Sequence, residues 1–278
     1  MKRSFILNFT PTGMIPTKEM TPHVPVQPAE IVAQVLEAAD LGANMVHLHA
    51  RSLESGTPTY KKIVYAEIIA GIRRGNKDLV ICVSTSGRGF AEFEKRSECL
   101  ELTGDLKPDM ASLTLSSLNF NKEASMNSPD MIRSLASMML DNGIKPEFEA
   151  FDLGMINYAH YLIHKGLAKP PYYFNLILGN IACAQADLLS LGLMIRELPA
   201  DSIWSVGGIG DAQFKMNVLG IVEGGGVRVG LEDNIYFDAD RAQLASNADL
   251  VRRIVSIAGD MGYVPYSHKD ARAVLGIQ

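Results

Sequence analysis

Eight times along this chain a short β-branched or apolar run is followed by an amphipathic stretch of helical length. The strand-like runs fall at 5–10, 44–49, 79–84, 110–115, 145–150, 172–177, 202–206 and 226–231. Helical periodicity occupies 28–41, 61–73, 91–102, 129–141, 154–165, 182–196, 212–221 and 239–258. Such strict alternation predicts an α/β fold with a parallel sheet, because parallel neighbours need a crossover between them. Eight units is the number that closes the sheet into a (β/α)8 TIM barrel. An open doubly wound sheet is the rival, but no Gly-x-Gly-x-x-Gly follows the first run, so the barrel is preferred. The 278 residues suit one such barrel, which takes about 250. A single domain over 1–278 is therefore expected, with a short C-terminal helical extension at 267–277.

Several boundaries carry mechanical signals. Pro28 and Pro129 suit the first turn of a helix, where a missing N–H costs nothing, and Ser128 is placed to cap the second of these. Gly42 and Gly143 follow helical stretches, as residues tolerant of a left-handed stop do. The segment 10–26, with Pro11, Pro16, Pro22 and Pro25, exceeds an ordinary connection and is expected to fold over the strand ends as a lid.

Composition narrows the function classes. The net charge is −5 and no Lys/Arg block exceeds a pair, which argues against a nucleic-acid partner. No apolar run reaches the roughly 18 residues of a spanning helix, and the leading residues Met1 to Phe9 turn polar too soon for a secretory signal. Cys82, Cys99 and Cys183 are odd in number and widely spaced, fitting a reducing compartment. A cytoplasmic protein with no membrane or nucleic-acid partner is expected.

In a barrel, function gathers at the C-terminal ends of the strands. The sharpest signal there is Val46-His47-Leu48-His49-Ala50-Arg51 on the second run. Side chains two apart share one strand face, so His47 and His49 point together into the mouth, as ligands for a divalent metal, zinc above all. Catalytic zinc takes a third protein ligand and keeps an open position. Glu232, in Arg228-Val229-Gly230-Leu231-Glu232-Asp233-Asn234 after the eighth run, is the candidate. Asp233 would stand beside the metal as an acid/base group and Arg228 would offset negative charge; the same cluster also reads as an ion-pair seam closing the barrel.

Ser84-Thr85-Ser86-Gly87-Arg88-Gly89 ends the third run with hydroxyls and glycine-backed amides suited to a carboxylate. On the fourth run Ser112, Thr114 and Ser116 share a face, either filling the barrel or meeting substrate. On the fifth, Glu147 and Glu149 share a face, which inside a barrel demands cations, hydrogen bonds or a metal. The glycine-rich Trp204 to Gly210 stretch could meet a phosphorylated cofactor.

Taken together, these motifs resemble a known family. They are Thr17-Lys18-Glu19-Met20-Thr21-Pro22, His47-Leu48-His49-Ala50-Arg51, Ser84-Thr85-Ser86-Gly87, Lys107-Pro108-Asp109-Met110-Ala111-Ser112-Leu113, the Lys145 to Met155 stretch and Arg228 to Asn234. In that order they resemble the β-keto acid cleavage enzymes over nearly the whole chain. The resemblance implies a zinc-dependent barrel that combines a β-keto acid with acetyl-CoA as cosubstrate, giving acetoacetate and a new acyl-CoA. It carries the zinc ligands to His47, His49 and Glu232, and the acid/base and charge-stabilising pair to Asp233 and Arg228. It places the substrate carboxylate at Ser84 and the Gly87 backbone. Ser112 corresponds to the family's threonine, with Thr114 beside it. Glu149 is the closer match to the family's strand-five glutamate, with Glu147 two residues away. A homotetramer is implied, with the 267–277 tail as the interface candidate. Where a member acting on an amino-bearing keto acid has a glutamate ahead of Thr-Lys-Glu, this chain has Met14, implying a tail that is uncharged or differently charged. The alternatives are a CoA-independent, metal-dependent aldolase or hydrolase, and a catalytically silent small-molecule sensor.

Overall fold

The computed structural model describes residues 3–277. Met1 and Lys2, at the leading end read above, and Gln278, at the end of the chain, lie outside the described residues. Eight parallel strands close into a barrel in chain order: Leu7–Phe9, Met45–Leu48, Val80–Val83, Met110–Thr114, Lys145–Ala150, Tyr172–Leu178, Ser202–Gly208 and Gly226–Val229. The eighth pairs back onto the first, Arg228 standing opposite Asn8. The expected first run is broken at Ile6: Arg3–Phe5 leaves the barrel to pair in parallel with Tyr263–Pro265.

Outward-facing strand residues such as Val46, Leu48, Ile81, Val83 and Leu113 pack under the helices in one continuous apolar core. The helices dock through faces of the expected kind: Pro28–Asp40 buries Ile31 and Val35, and Pro129–Asp141 buries Ile132, Leu135 and Met139. Ser128 caps the latter, its hydroxyl accepting from Met131 N at 3.2 Å.

Three expected helices are shorter in the structure. The stretch 91–102 forms only Phe93–Ser97 and a 3-10 turn at Glu98–Glu101. The stretch 182–196 becomes helical at Leu188, where Asp187 accepts from Ser190 N at 2.7 Å. The stretch 239–258 becomes helical at Asn247, with Ser246 accepting from Asp249 N at 3.1 Å. In the last two cases a side chain that caps well fixes the start, and the residues before it run as loop.

The tail packs on its own barrel. Its helix spans His268–Val274. Ala271 and Leu275 are fully buried against Ile6, Met45, Val80, Met110 and Tyr173, the inward-facing layer at the N-terminal end of this chain's own barrel. Asp109 clamps it there, bonded to Arg272 at 2.9 Å and Arg73 at 2.6 Å. An apolar layer left open to water at the barrel floor would forfeit its burial energy, and the tail covers it. No helix among the described residues is long and apolar enough to cross a membrane.

Candidate active site

Above the apolar floor the barrel interior turns polar. Register sets His47 beside Cys82, Ser112 beside Glu147, and Thr114 beside Glu149. Glu147 is fully buried and saturated with donors: Asn8 Nδ2 at 2.6 Å, Asn175 Nδ2 at 3.1 Å, Cys82 Sγ at 3.3 Å and His47 Nδ1 at 2.5 Å. A carboxylate held on Nδ1 fixes the ring and leaves Nε2 facing the mouth, the arrangement that supports a metal-ligating histidine. Burial alone would push the His47 ring below its ordinary pKa, but Glu147 and Glu232 overcome it and hold the ring at about 9. His49 lies lower than usual because it is buried, with His47 and Arg228 nearby.

The three expected ligands meet. His47 Nε2 lies 3.2 Å from His49 Nε2, and His49 Nε2 lies 3.3 Å from Glu232 Oε1. Donors held about 2.0–2.1 Å from a tetrahedral cation stand roughly 3.3–3.4 Å apart, so the spacing suits a metal. Glu232 Oε2 is buried with no hydrogen-bond partner, an orphaned atom of the kind a cation would satisfy. Burial works against ionising Glu232, yet Arg228, His49 and His47 bring its pKa well below the usual carboxylate range. His47, Cys82 and Glu147 form a second close trio, but its carboxylate is already saturated by four donors.

Arg228 organises the opposite wall. It donates from Nε to Asp233 Oδ2 at 2.7 Å, and from Nη2 to Asp233 Oδ1 at 3.1 Å and Glu232 Oε1 at 2.7 Å. Its Nη1 is buried without a hydrogen-bond acceptor, 3.7 Å from Glu149 Oε1. Burial raises the Asp233 carboxyl above its ordinary pKa, and adjacent Glu232 adds to the rise against the pull of Arg228. Glu149, accepting from Thr114 Oγ1 at 2.7 Å, is likewise raised by burial. The two strand-five glutamates thus divide: Glu147 supports His47, and Glu149 faces Arg228.

The third-strand loop is built for close approach. Ser84 Oγ accepts from Ser86 N at 3.2 Å. At Gly87 a Cβ would fall 2.4 Å from Met126 O and 2.9 Å from Arg96 Nη1, so only glycine fits. Ser112 sits below the loop, its Oγ accepting from Thr85 N at 3.1 Å, so its hydroxyl braces the loop. Ser116 lies beyond the strand end and is exposed. At the end of the seventh strand a Cβ at Gly208 would strike the Ala212 carbonyl, and beyond it Gly210 N donates to Asp233 O at 2.7 Å.

The 10–26 segment crosses the mouth as expected. A Cβ at Gly13 (φ +63°) would lie 2.4 Å from Glu232 Cγ, so the segment rests directly on the acidic ligand. Arg51, whose role was not read from the sequence although it continues the face of His47 and His49, pins the segment by donating to Gly13 O at 2.7 Å and Pro16 O at 2.9 Å. Between this segment and the third-strand loop lies a narrow cleft beside His49, with a cavity volume of about 20 Å³, lined by Met14, Tyr60, Tyr65, Ser84, Phe90 and Arg96 among others.

The sequence profile of the β-keto acid cleavage enzymes matches residues 4–277. The chain belongs to this family. It is 36% identical to the 3-keto-5-aminohexanoate cleavage enzyme of Fusobacterium nucleatum, each chain covered in full. It is 33% identical to the 3-oxoadipate:acetyl-CoA acetyltransferase of Cupriavidus necator, covering 100% of this chain and 96% of that one. Among solved structures, the ternary complex of ObcA with a C4-CoA adduct and oxalate superposes with a TM-score of 0.81 at 20% identity, over 92% of this chain and 68% of that one, a likeness of fold. Within this β-keto acid cleavage enzyme, Asn8, Asn175 and Arg96 are site-supporting residues that carried no local sequence signal.

Proposed function

We propose that this β-keto acid cleavage enzyme binds zinc through His47, His49 and Glu232 and exchanges acyl groups between a β-keto acid and acetyl-CoA, releasing acetoacetate and a new acyl-CoA. The observation that carries the reading is the meeting of two imidazole nitrogens and one orphan-bearing carboxylate at 3.2–3.3 Å beside the cleft that His49 lines. Zinc, when bound there, supplies Lewis acidity toward the ketone and carboxylate oxygens of the substrate.

The chain's own groups do the rest. Asp233, with its raised pKa, is suited to take the proton from the carbon between ketone and carboxylate at one of its Oδ atoms and to return it later. Arg228 holds Asp233 in place with two hydrogen bonds, and its Nη1, without a hydrogen-bond acceptor and 3.7 Å from Glu149 Oε1, is available to offset enolate charge. Ser84 and the Gly87 backbone receive the substrate carboxylate. In balance, the bond between C2 and C3 of the keto acid breaks and a bond from C2 to the acetyl carbon forms. The CoA sulfur leaves the acetyl group and takes the acyl group released.

The cleft beside His49 would take the carboxylate on its Ser84 side and select the acyl tail on its Met14, Tyr60 and Phe90 side. Its cavity volume of about 20 Å³ is little more than a water-sized group occupies, so without opening further the cleft admits only a short chain. Met14, Tyr60 and Phe90 give apolar walls, and the charged groups lining it besides His49 are Lys95 and Arg96, none of the described lining residues being acidic. Lys61 already stands over the Tyr60 ring at 4.5 Å. A short tail that is uncharged or negatively charged is accordingly the preferred substrate, and an ammonium-bearing tail is disfavoured by like charge. The test is metal content and turnover on purified protein with a panel of β-keto acids of graded length and charge. Neutral tails should exceed the amino-bearing tail in kcat/KM by at least about tenfold. Full activity without metal, or cleavage without acetyl-CoA, overturns the reading, the second in favour of an aldolase or hydrolase.

A further inference from the structure

Arg96 lies behind the third-strand loop, 3% exposed, and lines the cleft beside His49 and Ser84. Its hydrogen bonds go to neutral oxygens: Nε to Thr85 O at 2.8 Å, Nη1 to Met126 O at 3.0 Å and Nη2 to Asn127 Oδ1 at 2.7 Å. Among the described residues it has no ion-pair partner, whereas Arg228 at the same mouth faces three carboxylates. Arg51 is also bonded to carbonyls, but it holds the crossing segment and does not line the cleft.

A buried charge with only neutral oxygens in contact, and Glu149 acting on it from farther off, is costly, and a loop that needed only bracing could be held by a neutral amide, as Asn217 holds two strand carbonyls elsewhere in this barrel. The guanidinium also lies against the backbone that is to receive an anion, since Gly87 has no room for a Cβ beside Arg96 Nη1. We infer that Arg96 is a positioning residue whose unpaired positive charge, applied through the Thr85–Gly87 loop it shapes, gives that loop its affinity for a substrate carboxylate. The inference rests on the seating of a keto acid carboxylate at Ser84 and Gly87 proposed above. Burial draws the guanidinium pKa down to about 10, which leaves it charged at neutral pH.

Two variants separate charge from bracing. Arg96→Gln removes the charge and keeps an amide donor; Asn127→Asp keeps Arg96 and its bond to Oδ1, answers the charge with a carboxylate, and gives up the Nδ2 bonds to Ser116 O and Ser125 Oγ, a structural loss that the uncharged ester reads separately. On the zinc-loaded enzyme, calorimetry gives the Kd of acetoacetate and of its uncharged methyl ester, and kinetics give kcat and KM. Both variants should weaken acetoacetate binding and raise KM by about 10–100-fold, leaving ester binding within about threefold of wild type. Arg96→Lys should restore most of the acid affinity. If Arg96→Gln does not fold, Asn127→Asp carries the comparison.

Equal weakening of acid and ester would make Arg96 a brace only, and unchanged acid binding in both variants would remove it from recognition; either overturns the inference. Acetoacetate that fails to bind the wild type overturns it as well. A wild type that binds acetoacetate with this charge dependence, yet exchanges no acyl group with acetyl-CoA, upholds the inference while the functional reading fails.

Discussion

The two ends of the barrel interior are built from opposite chemistry. At the N-terminal end, Ile6, Met45, Val80 and Met110 form an apolar layer closed by Ala271 and Leu275 of the tail helix. At the C-terminal end the barrel strands turn inward His47, His49, Ser84, Thr114, Glu149 and Arg228, all buried, with charged groups paired unevenly and polar atoms such as Arg228 Nη1 and Glu232 Oε2 left without hydrogen-bond partners. The first arrangement is what stability favours. The second holds desolvated charge that a folded chain keeps only where ligands complete it. Stability and reactivity should therefore separate along the barrel axis, and substitutions at either end can break or sharpen that division.

The largest effect is expected at the mouth. His49→Ala should abolish stoichiometric zinc binding and lower kcat by about 10³-fold, with the far-ultraviolet circular dichroism spectrum unchanged. Retained metal with near-normal turnover would dissolve the contrast. At the floor, Leu275→Ala should cost about 2–5 kcal/mol in urea unfolding and leave kcat of the folded enzyme untouched. A loss of turnover at equal folded fraction would mean that the floor does more than support.

Glu147 joins the two regimes. Glu147→Gln should weaken zinc binding or activity by about 10–100-fold, read by competition with a chelator. The same pair predicts a pH signature for metal-free protein. His47 is held at about 9, above its ordinary 6.5. Its contribution is complete below 6.5 and is lost as pH rises through 9, so the metal-free melting temperature should decline over that interval. In Glu147→Gln that decline should flatten.

The smallest effect belongs to the rim. Glu30 caps the first helix, accepting from Val26 N at 2.9 Å and Gln27 N at 3.1 Å. Although burial opposes it, the Lys18 hydrogen bond and these amides depress its pKa below 4.5. Its contribution is present above 4.5 and fades as pH falls through the depressed value. Glu30→Gln should cost about 0.5–1 kcal/mol at neutral pH, and nothing once the wild-type carboxylate is itself protonated.

What the sequence disclosed follows the same division. Strand runs and the i, i+2 rule put His47 and His49 on one face, and the eighth run supplied Glu232 and Asp233, because local period determines which way a side chain points. The helix starts at Leu188 and Asn247 were misjudged by several residues although Asp187 and Ser246 stood in view as caps; apolar residues upstream extended the pattern past them. The hydrogen bonds of Asn8 and Asn175 to Glu147 span 139 and 28 positions, and nothing local in the chain announces them. Nor did local pattern separate Glu147 from Glu149, whose roles are set by what the neighbouring strands bring beside each. The tail helix carried its apolar face plainly, but its partner lay at the other end of the chain's own barrel.

Arg51 grips the crossing segment by the carbonyls of Gly13 and Pro16. A clasp on main-chain oxygens is indifferent to which side chains the segment carries, provided Gly13 keeps clear of Glu232. Position 14 can therefore change identity without loosening the latch. On the function proposed above, exchanging that one wall should re-tailor substrate range while the chemistry beneath it stays as it is.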